Sequence, residues 1–154
     1  MLGCVDDDVR WLAGDELEDW MQVRRLLTVL PARLARDLAA TGLSAADYEV
    51  LSTLSERDDR AWGLRDFAAK MQWSRSRLSH HAARMEARGL IARAPDPDDA
   101  RGSIYHLTEL GLQALVEAAP THVASVRQRF LDHLAPGDLA TLARISRRIA
   151  DLPD

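Results

Sequence analysis

Residues 75–84 read RSRLSHHAAR, which gathers Arg75, Ser76, Arg77, Ser79, His80, His81 and Arg84 into one short stretch. Leu78, Ala82 and Met85 recur at i, i+4 and i+7, so on a helix they form a single buried stripe. The cationic and small polar residues then share the opposite face, and no acid joins them before Glu86. A solvated helix face ordinarily mixes both signs. A face of one sign suits a polyanion, and arginine and serine side chains can reach base edges in the major groove of DNA. Arg77 and Ser76, near the start of the helix, are candidates for reading bases, with His80 a third. Arg75 and Arg84 suit phosphates, and Ser74 is the N-cap of the same helix. The bland alternative is an ordinary exposed helix.

The charge distribution bears on this choice. The chain carries −4, which by itself argues against a nucleic-acid partner. Yet between Arg65 and Arg93 seven basic residues face only Asp66 and Glu86, so that segment is +5 and the remainder −9. Distribution matters more than the sum for a polyanion.

Other chemistries find no comparable set. There is no nucleophile–base pair, no phosphate loop and no metal set, so neither an enzyme nor a cofactor is expected. His80 and His81 are neighbours and point apart on a helix. The positions one turn on are Arg84 and Met85 rather than ligands, so no metal site is expected. Cys4 is the one cysteine, which excludes an internal disulfide framework. Asp6, Asp7 and Asp8 beside it oppose a thiolate, so it reads as an incidental thiol rather than a redox sensor. Trp11 and Trp20, with Arg24 one turn after Trp20, could line a pocket for an aromatic anion; packing in a core or interface is the favoured reading.

These residues need elements to hold them. From residue 15 to about 40, Leu17, Trp20, Val23, Leu26, Leu27, Leu30, Leu34 and Leu38 keep helical spacing. Pro31 inside that run predicts a kink or a split into two helices, and Thr41-Gly42 closes it. Ser44 caps a second helix, with Asp47 at its third position. Residues 61–63 read as a short strand and 64–71 as a short helix. The helix capped by Ser74 runs to Arg88 and stops at Gly89. Two helices separated by Gln72-Trp73 make a helix-turn-helix by spacing. Residues 91–94 and 104–107 are strands of a hairpin, with Pro95, Pro97 and Gly102 keeping the loop out of the ladder. A long helix from Glu109 to about Leu134 contains Pro120, and a last one runs from Pro136 and Asp138 to near Leu152. Residues 1–14 read as a disordered end.

A helix-turn-helix followed by a hairpin is a winged helix. Its wing would carry Arg101-Gly102 to the neighbouring minor groove, whose negative potential draws in arginine. Asp98 or Asp99 would hold Arg101 in shape. The terminal helices carry more apolar residues than one winged helix needs, among them Leu112, Val116, Val123, Phe130, Leu142 and Ile149. A second copy of the chain is the expected cover.

The stretch DPDDARGSIYHLTELG, residues 96–111, resembles the wing signature of the MarR family of bacterial transcription regulators. The likeness lies in Asp99-Ala100-Arg101 and in Leu107-Thr108-Glu109-Leu110-Gly111. Residues 73–93, WSRSRLSHHAARMEARGLIAR, resemble that family's recognition helix leading into the wing. The order of elements from 15 to 152 matches as well. The resemblance implies a homodimer with its first and last two helices interlocked. It also implies a palindromic double-stranded DNA operator and repression relieved by a small ligand or by oxidation.

The expected fold is therefore mainly α with a small β-hairpin. Residues 44–108 form the winged helix-turn-helix, and 15–43 with 109–152 the helical dimerisation region. A small aromatic or anionic effector is a further expected partner. No run of eighteen apolar residues exists, so no membrane span is expected, and the first residues lack a signal-peptide pattern. A cytoplasmic regulator follows. The rival class is a winged helix used only for protein contacts, which would not need Arg75, Arg77 and Arg101 on one side.

Overall fold

The structure, a computed structural model, describes residues 9–152 apart from 98, 100 and 101. It is mostly helical. Helix α1 spans Asp15–Leu38 and ends in a 3-10 turn, Ala39–Thr41, closed by Gly42 at φ 82°. Helix α2 (Ala45–Ser55), strand β1 (Ala61–Gly63), helix α3 (Leu64–Lys70) and helix α4 (Arg75–Ala87) follow. Strands β2 (Ile91–Pro95) and β3 (Ser103–Leu107) form the hairpin. Helix α5 (Glu109–Arg129) leads through a 3-10 turn, Leu131–His133, to α6 (Asp138–Ala150).

The three strands make one antiparallel sheet in the order β1-β3-β2. Trp62 faces Tyr105 on one side of β3, and Arg93 faces Tyr105 on the other. The core lies between this sheet and helices α2, α3 and α4, around Leu51, Leu54, Phe67, Leu78, Met85 and Tyr105. It continues through Leu38 of α1 and Leu115 and Ala118 of α5.

Three expectations need correction. Pro31 does not split α1, which is continuous from Asp15 to Leu38. Proline removes one N–H donor, but the helix packs along α5, where Asp37 accepts from Ser125 Oγ at 2.6 Å and from Arg129 at 3.0 and 3.1 Å. Pro95 is inside the ladder, opposite Ser103. Its place at the end of an edge strand makes the missing donor harmless. The long helix ends at Arg129 rather than near Leu134, because Phe130 leaves helical geometry at φ −139°.

The junction between hairpin and α5 explains one sequence signature. Thr108 caps α5 by accepting from Gly111 N at 3.0 Å, and its hydroxyl donates to Gly89 O at 2.7 Å. A Cβ at position 111 would collide with the Leu90 carbonyl. Threonine and glycine three apart thus lock the start of α5 against the end of α4.

The ends of the chain are uncovered. No residue of α6 is buried, and Leu139, Leu142, Ile145 and Ile149 stand exposed along it. The first half of α1 likewise exposes Leu17, Trp20, Val23 and Leu27.

Candidate nucleic-acid interface

Helix α4 starts where the turn requires it. Gln72 takes φ 53° and Trp73 N donates to Ala68 O at 2.9 Å, which reverses the chain after α3. Ser74 then caps α4 by accepting from Arg77 N at 3.1 Å. Leu78, Ala82 and Met85 are buried, as their spacing predicts. Arg75, Ser76, Arg77, His80 and Arg84 lie exposed, and Ser79 is half-buried.

A groove of about 630 Å³ runs along this face, lined by Ser76, Arg77, His80 and Arg84 with Trp73 and His81 beside them. The Arg77 guanidinium stacks on the Trp73 ring, 3.9 Å from its centroid. Arg84 is drawn back on its own helix: it donates to the His80 carbonyl at 3.3 Å and to His81 Nδ1 at 2.8 Å.

His81 corrects the sequence reading. It is only 8% exposed and sits beside the buried stripe of α4 rather than on the open face, although it still lines the groove. Position 81 is i+3 from Leu78 and i−4 from Met85, which places it beside the buried stripe. Because Nδ1 accepts from Arg84, the neutral ring carries its proton on Nε2. That atom lies 3.0 Å from Asp47 Oδ1, off the line of a good hydrogen bond. Burial pushes the His81 pKa below its ordinary value; Asp47 opposes that shift and Arg84 adds to it.

Asp47 is the anchor that sequence reasoning saw only as a cap. It forms a capping box with Ser44 at the start of α2. Its other bond reaches across the fold to Arg88, whose guanidinium donates to Asp47 Oδ2 at 2.8 Å and to the Gly42 carbonyl at 3.0 Å. Burial would raise the Asp47 pKa, but the hydrogen bonds from Arg88 and Ser44 outweigh it and hold the carboxyl below its ordinary value. One carboxylate thereby ties the start of α2 to the middle and the end of α4.

Not every cation of the basic segment is without a partner in the fold. Arg88 belongs to Asp47, Lys70 pairs with Glu56 at 2.8 Å, and Arg93 donates to Ser103 Oγ at 2.9 Å. Arg65 and Arg75 are exposed and line a second cavity of about 480 Å³ with Asp96, Asp99 and Gly102 of the hairpin loop. The loop therefore abuts the amino-terminal ends of α3 and α4. Gly102 fits there because a Cβ would meet Asp96 and Asp99 at about 3 Å. Asp99 is exposed. Arg101, Asp98 and Cys4 lie outside the described residues.

Trp11 and Trp20 are neither in the core nor beside the cavity between α1, α2 and α5. Those residues are 63% and 46% exposed. That cavity, of about 430 Å³, is walled by Leu34, Leu38, Tyr48, Glu49, Glu56 and His122. Its residues come from three distant segments, so no local pattern signals it. Among the described residues no cluster of three ligand side chains could hold a metal, and no helix is long and apolar enough to cross a membrane.

Comparison with known proteins agrees with this architecture. The MarR family model matches residues 43–103. The crystal structure of AbsC, a MarR family transcriptional regulator from Streptomyces coelicolor, is 40% identical, covering 93% of this chain and 97% of its own, with a TM-score of 0.87. Sco3205, a MarR family transcriptional regulator from the same organism in complex with DNA, is 35% identical over 95% of this chain and 92% of its own, with a TM-score of 0.89. CouR from Rhodococcus jostii RHA1, bound to p-coumaroyl-CoA, shares the fold at 23% identity over 95% of this chain and 99% of its own, with a TM-score of 0.76. No curated protein matches the sequence.

Proposed function

The chain belongs to the MarR family of transcriptional regulators, and on that premise we propose that it represses transcription as a homodimer on a palindromic DNA operator until a small molecule releases it. One observation carries the reading. Helix α4 presents Arg75, Ser76, Arg77, His80 and Arg84 on one exposed face, with no acid among them and the hairpin loop alongside. Such a helix suits the major groove. Arg77, Ser76 and His80 read bases, Arg75 and Arg84 meet phosphates, and the amino-terminal end of α4 at Ser74 faces a phosphate as well. Ser79, half-buried, contacts DNA only at the edge of that face. Asp99 and Arg101 serve the wing in the minor groove.

Residues 44–108 are the DNA-binding part, and 15–43 with 109–152 the dimerisation part. The bare apolar face of α6 and the exposed first half of α1 support a second copy of the chain as their cover. A two-fold dimer presents two copies of α4 to half-sites one helical turn apart, hence the palindrome. The effector enters the cavity between α1, α2 and α5, which joins the dimerisation part to the DNA-binding part. The protein acts in the cytoplasm and performs no catalysis.

The test is selection of duplexes from a random-sequence pool, followed by gel shift. Recovery of an inverted repeat is expected. A pool that yields no preferred duplex would overturn the reading in favour of a winged helix that contacts protein.

A further inference from the structure

The walls of the cavity between α1, α2 and α5 bear on the charge of its occupant. One side is apolar, with Pro31, Leu34 and Leu38. Another is aromatic: the Tyr48 and His122 rings lie 4.5 Å apart. His122 Nδ1 is buried there without a hydrogen-bond partner, so the wall holds a polar atom that a hydrogen-bonding ligand would satisfy. The remaining charged residues of the lining are Glu49 and Glu56, and no arginine or lysine joins them. Glu49 lies on α2 and Glu56 is that helix's C-cap, two turns further along the same side.

An anionic ligand would meet two carboxylates and no fixed cation. A cation would meet the same two carboxylates as attractive partners. Glu49 is an exposed residue at the edge of this cavity; partial desolvation raises its carboxyl and Arg77 opposes that shift. Glu56 satisfies itself with Lys70 across 2.8 Å, both side chains being about half exposed. The geometry points to a small aromatic amine, protonated, as the ligand class of this cavity. Its ring lies against Leu34, Leu38 and Tyr48, and its ammonium lies on Glu49. The inference rests on reading this cavity as the effector site. It replaces the anion in the sequence expectation with a cation while keeping the aromatic ring. It also has a consequence for coupling. The acids that would take the ammonium are those facing Arg77 of α4 and Lys70 of α3, so ligand and helix-turn-helix compete for the same two carboxylates.

The experiment uses three probes of one shape: 2-phenylethylamine, 3-phenylpropionate and 2-phenylethanol. Each is titrated calorimetrically into the DNA-free protein at neutral pH. The amine is expected to bind about ten-fold tighter than the carboxylate, the worth of one partly desolvated charge contact, with the alcohol between them. Glu49→Gln should remove most of that advantage, and Glu56→Gln a smaller part, with melting curves confirming that both variants fold. Equal or tighter binding of 3-phenylpropionate would overturn the inference. So would an amine that fails to bind up to roughly 10 mM, a concentration at which even very weak sites fill, or amine binding untouched by Glu49→Gln. A separate titration on a selected operator duplex keeps the two readings apart. An amine that binds through Glu49 yet leaves the operator complex intact upholds the ligand class and refutes release.

Discussion

Removing the Asp47 carboxylate should loosen the recognition helix from behind. The side chain is 7% exposed and serves three partners: Ser44 N at 3.0 Å, Arg88 at 2.8 Å and His81 Nε2 at 3.0 Å. Asp47→Ala loses the reciprocal bond of the capping box, about 1 kcal/mol. The Arg88 guanidinium is 44% exposed, so solvent screens its share, leaving about 1 kcal/mol. His81 Nε2 already lies off the line of a good hydrogen bond to Asp47, so its share is small. The total is roughly 2 kcal/mol, which for a chain of this size lowers Tm by about 4–8 °C. Asp47→Asn should fall between, because an amide oxygen can still accept from Ser44 N while the charge on Arg88 goes unanswered. Thermal melts at one fixed protomer concentration measure this, since dimer stability depends on concentration. Operator titrations on the same samples should show weaker binding in the order parent, Asn, Ala. An Asp47→Ala protein melting within about 1 °C of the parent would refute the anchoring argument, because a loss of that size requires the network to contribute almost nothing.

Deleting residues 136–154 removes α6 with its exposed Leu139, Leu142, Ile145 and Ile149, and sedimentation should then find a monomer where the full chain is a dimer; a truncated chain that still dimerises would place the interface elsewhere. Arg101→Ala should cut operator affinity sharply while leaving Tm nearly unchanged, and Arg101→Lys should restore only part, since lysine keeps the charge but is more strongly hydrated. Unchanged affinity in Arg101→Ala would mean that the wing does not reach the groove. Asp37 is held at about 2, chiefly by its hydrogen bond from Arg129 and then by Ser125. A lowered carboxyl stabilises the fold above its ordinary value of 3.8 and loses that effect as pH falls through about 2. Asp37→Asn should therefore melt lower than the parent near neutrality, with the gap closing between about pH 4 and 2; a gap independent of pH would assign the effect to packing alone.

How far the sequence could be read depended on the range of the interaction. The stripe Leu78, Ala82 and Met85, the cap at Ser74 and the short strand 61–63 are local patterns, and the structure has each of them. The split that Pro31 suggests does not occur: a proline is a local breaker, whereas α1 is kept continuous by α5, some ninety residues away in sequence. The burial of His81 is not legible locally, because it depends on Asp47 of α2, 34 residues away in sequence. The same long reach hid the Arg88 ion pair, whose partners are 41 residues apart, and so overstated the positive charge open to a ligand. The cavity of Leu34, Tyr48, Glu49 and His122 draws on three helices and has no signature in any one of them. The basic face of α4 needed only a helical period to be seen.

The most direct test of that face is the salt dependence of operator binding by the purified dimer, followed by fluorescence anisotropy. If each subunit neutralises a few phosphates, log affinity should fall against log salt with a slope of roughly −5 to −9. Arg75→Ala should shallow the slope, while Arg77→Ala should narrow the gap between operator and random duplex by about 1–3 kcal/mol. A flat salt response, with both variants binding as the parent does, would mean that α4 does not meet DNA.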